Sequence, residues 1–220
     1  MVNERFLVTR PNHDNTVTYL HNWSKEILSF ADKKNIKYSD FEGKKANKAD
    51  VTRFLLKQDP RLVLLNGHGT STTICGHKDE DLITIKNNEL LKDKIVYALA
   101  CDSASTLGIN AVKDKECKAF IGYEEAFGFV KDASKDCIPS RDKFAEPFKN
   151  FSNEISLELL RGKSVGEAME KSQKMASNLL KFYSASDALP EYKDIRFWLF
   201  WDKYFQRALG DQSARFLDEI

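Results

Sequence analysis

The 220-residue chain has no run of about 18 uninterrupted apolar residues, and its start, MVNERFLVTRPNHD, lacks the apolar segment and small-residue cleavage site of a secretory leader. Neither a membrane span nor export is expected, and a cytoplasmic location follows. It lacks a charge excess: 34 Lys plus Arg stand against 33 Asp plus Glu, a net charge of +1. Such a balance gives no reason to expect direct nucleic-acid binding or an acidic-membrane partner. Its four cysteines, Cys75, Cys101, Cys117 and Cys137, form no close pairs. That argues against a disulfide framework and leaves reduced thiols open to chemistry. Internal repeats and low-complexity stretches are absent as well.

What remains is a globular composition, 42% hydrophobic and 30% charged. About 100–200 residues per domain is usual, so one domain over 1–220 is expected, with a core over about 5–185 and a helical C-terminal extension over 190–220. Short apolar runs recur at RFLVT (5–9), IKYSDF (36–41), LVLLN (62–66), IVYALA (95–100) and KAFIGY (118–123), each suited to a buried parallel strand. Between them, Val17, Leu20, Trp23, Ile27, Leu28 and Ala31 mark one helix face, and Val51, Phe54 and Leu55 a second. The alternation predicts an α/β sandwich with a mostly parallel sheet. Residues 72–86 read as a small inserted hairpin, and 124–143 as a connection too long to be ordinary, bordering the site.

From Phe144 onward the pattern is helical. One helix closes at Gly162, Ser164 and Glu167 form a capping box for the next, and Pro190 separates it from a tail in which Trp198, Trp201, Phe205 and Leu209 share a helical face.

Two apolar runs end in reactive side chains. LVLLNGHGTS (62–71) delivers His68 between two glycines, and IVYALACDSA (95–104) delivers Cys101. In an open α/β sheet, ligands bind beyond the carboxyl ends of parallel strands. If these strands are neighbours, imidazole and thiol converge as general base and nucleophile. The N–H groups of Gly69 and of Cys101, before a helix starting near Ser103, then suit an oxyanion. Taken singly, a Gly-His-Gly turn or a buried cysteine is often only structural. A metal site from His68, Cys75, His77 and Cys101 has no CxxC or HxxxH spacing behind it, and no cofactor or metal is expected.

NGHG at one strand end and ALACDSA at the next resemble the paired catalytic motifs of the caspase-like, clan CD, cysteine peptidases. CHAT-domain proteases of bacteria are the nearest in pattern, with a His-Gly motif, an Ala-Cys-x-Ser stretch, a later Gly-Tyr strand and a Gly-Lys-Ser-Val-like helix start. The resemblance covers roughly residues 5–180. It implies a caspase-like three-layer α/β/α sandwich with a helical C-terminal part, and a cysteine endopeptidase in which His68 is the base, Cys101 the nucleophile and Gly69 N–H part of the oxyanion hole. One departure is Leu99-Ala100 where caspases place Gln before Ala-Cys and metacaspases an Asp two positions before Cys.

In that superfamily the specificity pocket is lined by the loop after the first strand and by segments after the catalytic strands, here TRPNHD (9–14) and GYEEAF (122–127). Asp14, Glu124 and Glu125 are candidates to bind a Lys or Arg before the scissile bond, and Arg10 the converse for an acidic residue. Asp14 also suits an N-cap before NTVTYL. Protein or peptide substrates are expected, with an activating partner or protease. Cleavage in the 124–143 loop, which carries Lys131, Lys135, Arg141 and Lys143, is one route to activation. By analogy the role is regulated proteolysis in bacterial defence or cell death. A non-catalytic or zymogen-like peptide-binding module is the alternative. His13, His21 and His77 read as surface or loop residues, and Cys75, Cys117 and Cys137 as structural or incidental thiols.

Overall fold

A computed structural model describes residues 5–136, 138–185, 189 and 192–217. Cys137 and Pro190, singled out above, lie outside the described residues. Among those described, no helix is long and apolar enough to cross a membrane.

The five apolar runs are strands β1 (Phe6–Arg10), β2 (Tyr38–Glu42), β3 (Leu62–Asn66), β7 (Ile95–Leu99) and β8 (Ala119–Tyr123). They pair in parallel in the order β2-β1-β3-β7-β8. Every residue of β1, β3, β7 and β8 is buried, as continuous apolar runs covered on both faces should be. Alternate side chains feed two cores. Phe6, Val8, Leu62, Leu64, Ile95 and Tyr97 pack beneath helices α1 (Asn15–Lys33), α4 (Glu146–Leu160), α5 (Val165–Tyr183) and α6 (Lys193–Phe205). On the opposite face, Leu7, Val63, Leu65, Val96 and Phe120 pack beneath α2 (Lys48–Gln58) and α3 (Thr106–Asp114). At about 1.5–3 kcal/mol per fully buried large apolar side chain, these two layers supply the main drive for folding.

The helix signals hold. The Ser164 side chain accepts from Glu167 N–H while Glu167 accepts from Ser164 N–H, a complete capping box. Gly162 closes α4 at φ +82, a conformation that costs other residues strain. The insertion after β3 is larger than a hairpin: β4 (Gly69–Thr70), β5 (Thr73–Cys75) and β6 (Asp81–Thr84) form a three-stranded antiparallel sheet.

The tail departs from the expected continuous helix. α6 ends at Phe205, and Gln206–Gly210 form strand β9, antiparallel to β8, with Leu209 opposite Phe120. Leu209 is therefore on a sheet and does not share a helical face with Trp198. An unpaired β8 edge would expose a row of N–H and C=O groups, and pairing that edge outweighs one more helical turn. Gln206, fully buried, locks the junction by accepting from Ser172 Oγ and Gln173 Nε2 and donating to Tyr123 Oη.

Candidate active site

β3 and β7 are neighbours, and their last paired residues are Asn66 and Leu99. His68 and Cys101 each lie two residues beyond that rung, on strands about 4.8 Å apart. Gly67 N–H donates to Leu99 O at 3.4 Å, extending the association one residue past the strands. Gly69 then presses against the cysteine turn: a Cβ there would sit 2.5 Å from Cys101 O and 3.1 Å from Cys101 N. Any side chain would force the two turns apart. Cys75 N–H donates to His68 O at 2.9 Å, so the small sheet holds the histidine backbone from the other side.

The segment after Cys101 is a turn, and α3 begins at Thr106, later than the start near Ser103 expected from sequence. The hydroxyls of Ser103 and Ser105 donate back to the carbonyls of Ala100 and Asp102, at 2.9 and 2.5 Å, a local bonding pattern that competes with helix. Asp102 adopts φ 54, and its N–H donates to Glu125 O at 3.2 Å.

His68 Nε2 is hydrogen-bonded to Asp14 Oδ2 at 2.7 Å, while Asp14 Oδ1 accepts from Val17 N–H at 2.9 Å and caps α1. The carboxylate expected in a specificity pocket is thus committed to the histidine. Burial opposes its ionisation, but the bonds from His68 and Val17 outweigh burial and hold the carboxyl below its ordinary value.

Cys101 is turned toward the loop after β8. Its thiol contacts Phe127 O at 3.8 Å, and burial raises its pKa, a shift the Phe127 bond only partly offsets. The loop is firmly seated. The Phe127 ring packs on Tyr123 at 4.9 Å, Gly128 N–H donates to Asp202 Oδ1 at 3.0 Å, and Trp198 fills the space where a side chain on Gly128 would go. Asp202 is fully buried, and burial raises its pKa well above the ordinary carboxylate range. Its Oδ2 has no partner among the described residues.

The other candidates are placed differently. Arg10 is buried, with Nε donating to Asp40 at 2.8 Å, Nη1 donating to His21 O at 3.3 Å and Nη2 3.4 Å from Glu42. It ties β1 to β2 and α1, so it is not open to an acidic substrate residue. Glu124 pairs with Arg207 at 2.7 Å across the β8–β9 junction. Glu125 is exposed, with its backbone carbonyl on the Cys101 turn. Burial pushes Cys75 up to about 11 and Cys117 up to about 12, which fits structural thiols.

The histidines read as surface residues are not all at the surface. His21 is buried, with its ring hydrogen-bonded to Glu42 at 2.8 Å and its carbonyl accepting from the buried Arg10. The His13 ring lies 6.1 Å from that of His68 and 5.3 Å from that of His77. Donor atoms of His13, Asp14 and His68 all fall within 4.8 Å of one another. Sequence reasoning missed His13 and the Asp14–His68 pair. The signal was available in NHD (12–14), which follows β1 at the same sheet edge once β1 is placed beside β3. Asp202 had no comparable signal, being one acidic residue in an aromatic-rich helix.

No protein-family description and no curated protein matches the chain. Its fold is similar to that of a solved structure, the Arg-specific cysteine proteinase gingipain R, with TM-score 0.58 and 12% identity over 96% of this chain. The chain spans 46% of that protein's chain, about half its length. At this identity the likeness is one of fold, and the mostly parallel sheet between helical layers is the caspase-like arrangement.

Proposed function

We propose that this protein is a cysteine endopeptidase working through His68 and Cys101. The observation that carries the reading is their equivalent position beyond the Asn66–Leu99 rung, with Gly69 packed on the backbone of Cys101. Asp14 holds Nε2 of His68, leaving Nδ1 as the nitrogen for the dyad. Nδ1 takes the thiol proton, and the thiolate attacks the scissile carbonyl. The N–H groups of Gly69 and Cys101 hold the resulting oxyanion. The imidazolium then protonates the departing amine. Water, deprotonated by His68, cleaves the thioester and regenerates the thiol.

The substrate is a protein or peptide, cut after a basic residue. The fold likeness to an Arg-specific proteinase supports that preference. Among the three acidic candidates, the engagement of Asp14 and Glu124 leaves Glu125 as the free carboxylate beside the cysteine turn. The CHAT-like motifs around His68, Cys101 and Ser164 are the basis for placing the chain in regulated proteolysis of the bacterial defence or cell-death type.

One observation favours a zymogen state as a second reading. The thiol faces Phe127 O and is held protonated by burial, so the 124–143 loop must shift or be cut before the dyad engages. Arg141 and Lys143 in that loop are exposed.

Labelling with an acyloxymethyl-ketone probe carrying a basic residue, read by intact mass, tests both readings. One adduct on the native chain, absent from Cys101→Ala and His68→Ala, supports the dyad. An adduct that forms only after limited proteolysis supports the zymogen. No adduct under either condition refutes the peptidase, and an adduct retained in Cys101→Ala refutes the assigned nucleophile.

A further inference from the structure

The loop after β1 and the turn after β3 place more donor atoms around His68 than acid–base chemistry requires. His13 Nε2 lies 3.6 Å from Asp14 Oδ2 and 3.2 Å from Asp79 Oδ1, and Asp14 Oδ2 lies 2.7 Å from His68 Nε2. A tetrahedral zinc ion with donors at about 2.0–2.2 Å holds its ligands about 3.3–3.6 Å apart. The His13–Asp14 spacing is already at that value. The Asp14–His68 contact is a hydrogen bond that opens by about 0.6 Å once its proton leaves and a metal takes its place.

We propose that His13, Asp14 and His68 form a three-donor binding site for a divalent transition ion of the Zn²⁺ class, with water completing the shell. Two imidazoles and one carboxylate suit such an ion, whereas Ca²⁺ and Mg²⁺ prefer all-oxygen shells. The site is reachable, because the side chains of His68 and Asp14 are 39% and 38% exposed while the His13 ring is only 11% exposed. The buried ring backs the site, and the open side admits the ion.

The consequence follows from the shared ligand, and it alone rests on the peptidase reading. Zn²⁺ on Nε2 of His68 removes Asp14 as the ring's partner and lowers the basicity of Nδ1, so occupancy switches the base off. The site needs neither Cys75 nor Cys101, which separates it from a thiolate site.

The test is equilibrium binding of Zn²⁺ alone to the full chain by competition with a chromophoric chelator, with Co²⁺ spectra as a second readout. One Zn²⁺ per chain is expected, retained in Cys101→Ala and Cys75→Ala and weakened by at least about 10-fold in both His13→Gln and Asp14→Asn. Co²⁺ should give tetrahedral d–d bands without a thiolate charge-transfer band. Thermal melts of each variant establish that it is folded. Absence of stoichiometric binding, loss of binding in either cysteine variant, a thiolate band, or unchanged affinity in folded His13→Gln overturns the site. Because binding is read without turnover, it stands or falls separately from the peptidase. If the chain binds Zn²⁺ and labels with the ketone probe, Zn²⁺ should block labelling and a chelator restore it, and labelling indifferent to bound Zn²⁺ overturns the switch.

Discussion

Gly69→Ala is the most direct probe of the geometry at the two strand ends. The added Cβ would lie 2.5 Å from Cys101 O, whereas ordinary contact begins at 3.4 Å, so the turns must separate by about 0.9 Å. The contacted atoms are the Cys101 backbone and the Ala100 Cβ at 3.0 Å, which has no rotamer to change, and the turns are held by Gly67 N–H to Leu99 O and by Cys75 N–H to His68 O. Forced packing of this kind costs about 1–3 kcal/mol. For a chain of this size each kcal/mol moves the melting temperature by about 2–4 °C, which gives a drop of about 2–12 °C. Displacement of nearly 1 Å between base and nucleophile should also lower kcat/KM by about 10²-fold. Differential scanning fluorimetry and peptide turnover measure the two effects separately. An alanine variant that melts with the native chain would refute the close approach, and full turnover despite a lowered melt would refute its importance to the dyad.

Three further outcomes are expected. Asp14→Asn keeps an acceptor for Val17 N–H, so α1 stays capped and the melt changes little, while turnover falls by about 10²-fold and its pH profile shifts; an unchanged profile would mean that Asp14 only caps the helix. Asp202 has a folded pKa above its unfolded value, so its protonated form contributes stability below the ordinary carboxylate range and that contribution is lost as pH rises toward the folded value. The native melting temperature should therefore fall more than that of Asp202→Asn between about pH 5 and about pH 8, and parallel curves would contradict a buried, neutral carboxyl. Alkylation of Cys101 by iodoacetamide in the resting protein should rise with a midpoint above that of an ordinary cysteine, since burial disfavours the thiolate, and a midpoint below it would mean that His68 already activates the thiol.

Much of the architecture was legible because periodicity is local. The runs at 62–66 and 95–99 are apolar at every position, which only a strand covered on both faces tolerates, and Ser164 with Glu167 caps a helix within a single turn. His68 and Cys101 stood out for the same reason, each closing such a run. Pairings between distant segments were not legible. Arg10 and Asp40, Glu124 and Arg207, and Asp14 and His68 are acid–base partners from 30 to 83 residues apart, and in the sequence each is simply a loop or strand-end charge. The strand at Gln206–Gly210 depends on the open edge of β8, a feature that exists only after the sheet has formed. Hydrophobic spacing and turn chemistry in the sequence thus determined the elements and the two residues at their ends. The order in which the strands lie side by side was decided only by tertiary packing, because it depends on which buried faces and free edges meet, and that order brings His13 and Asp14 beside His68 and seats Phe127 over Cys101.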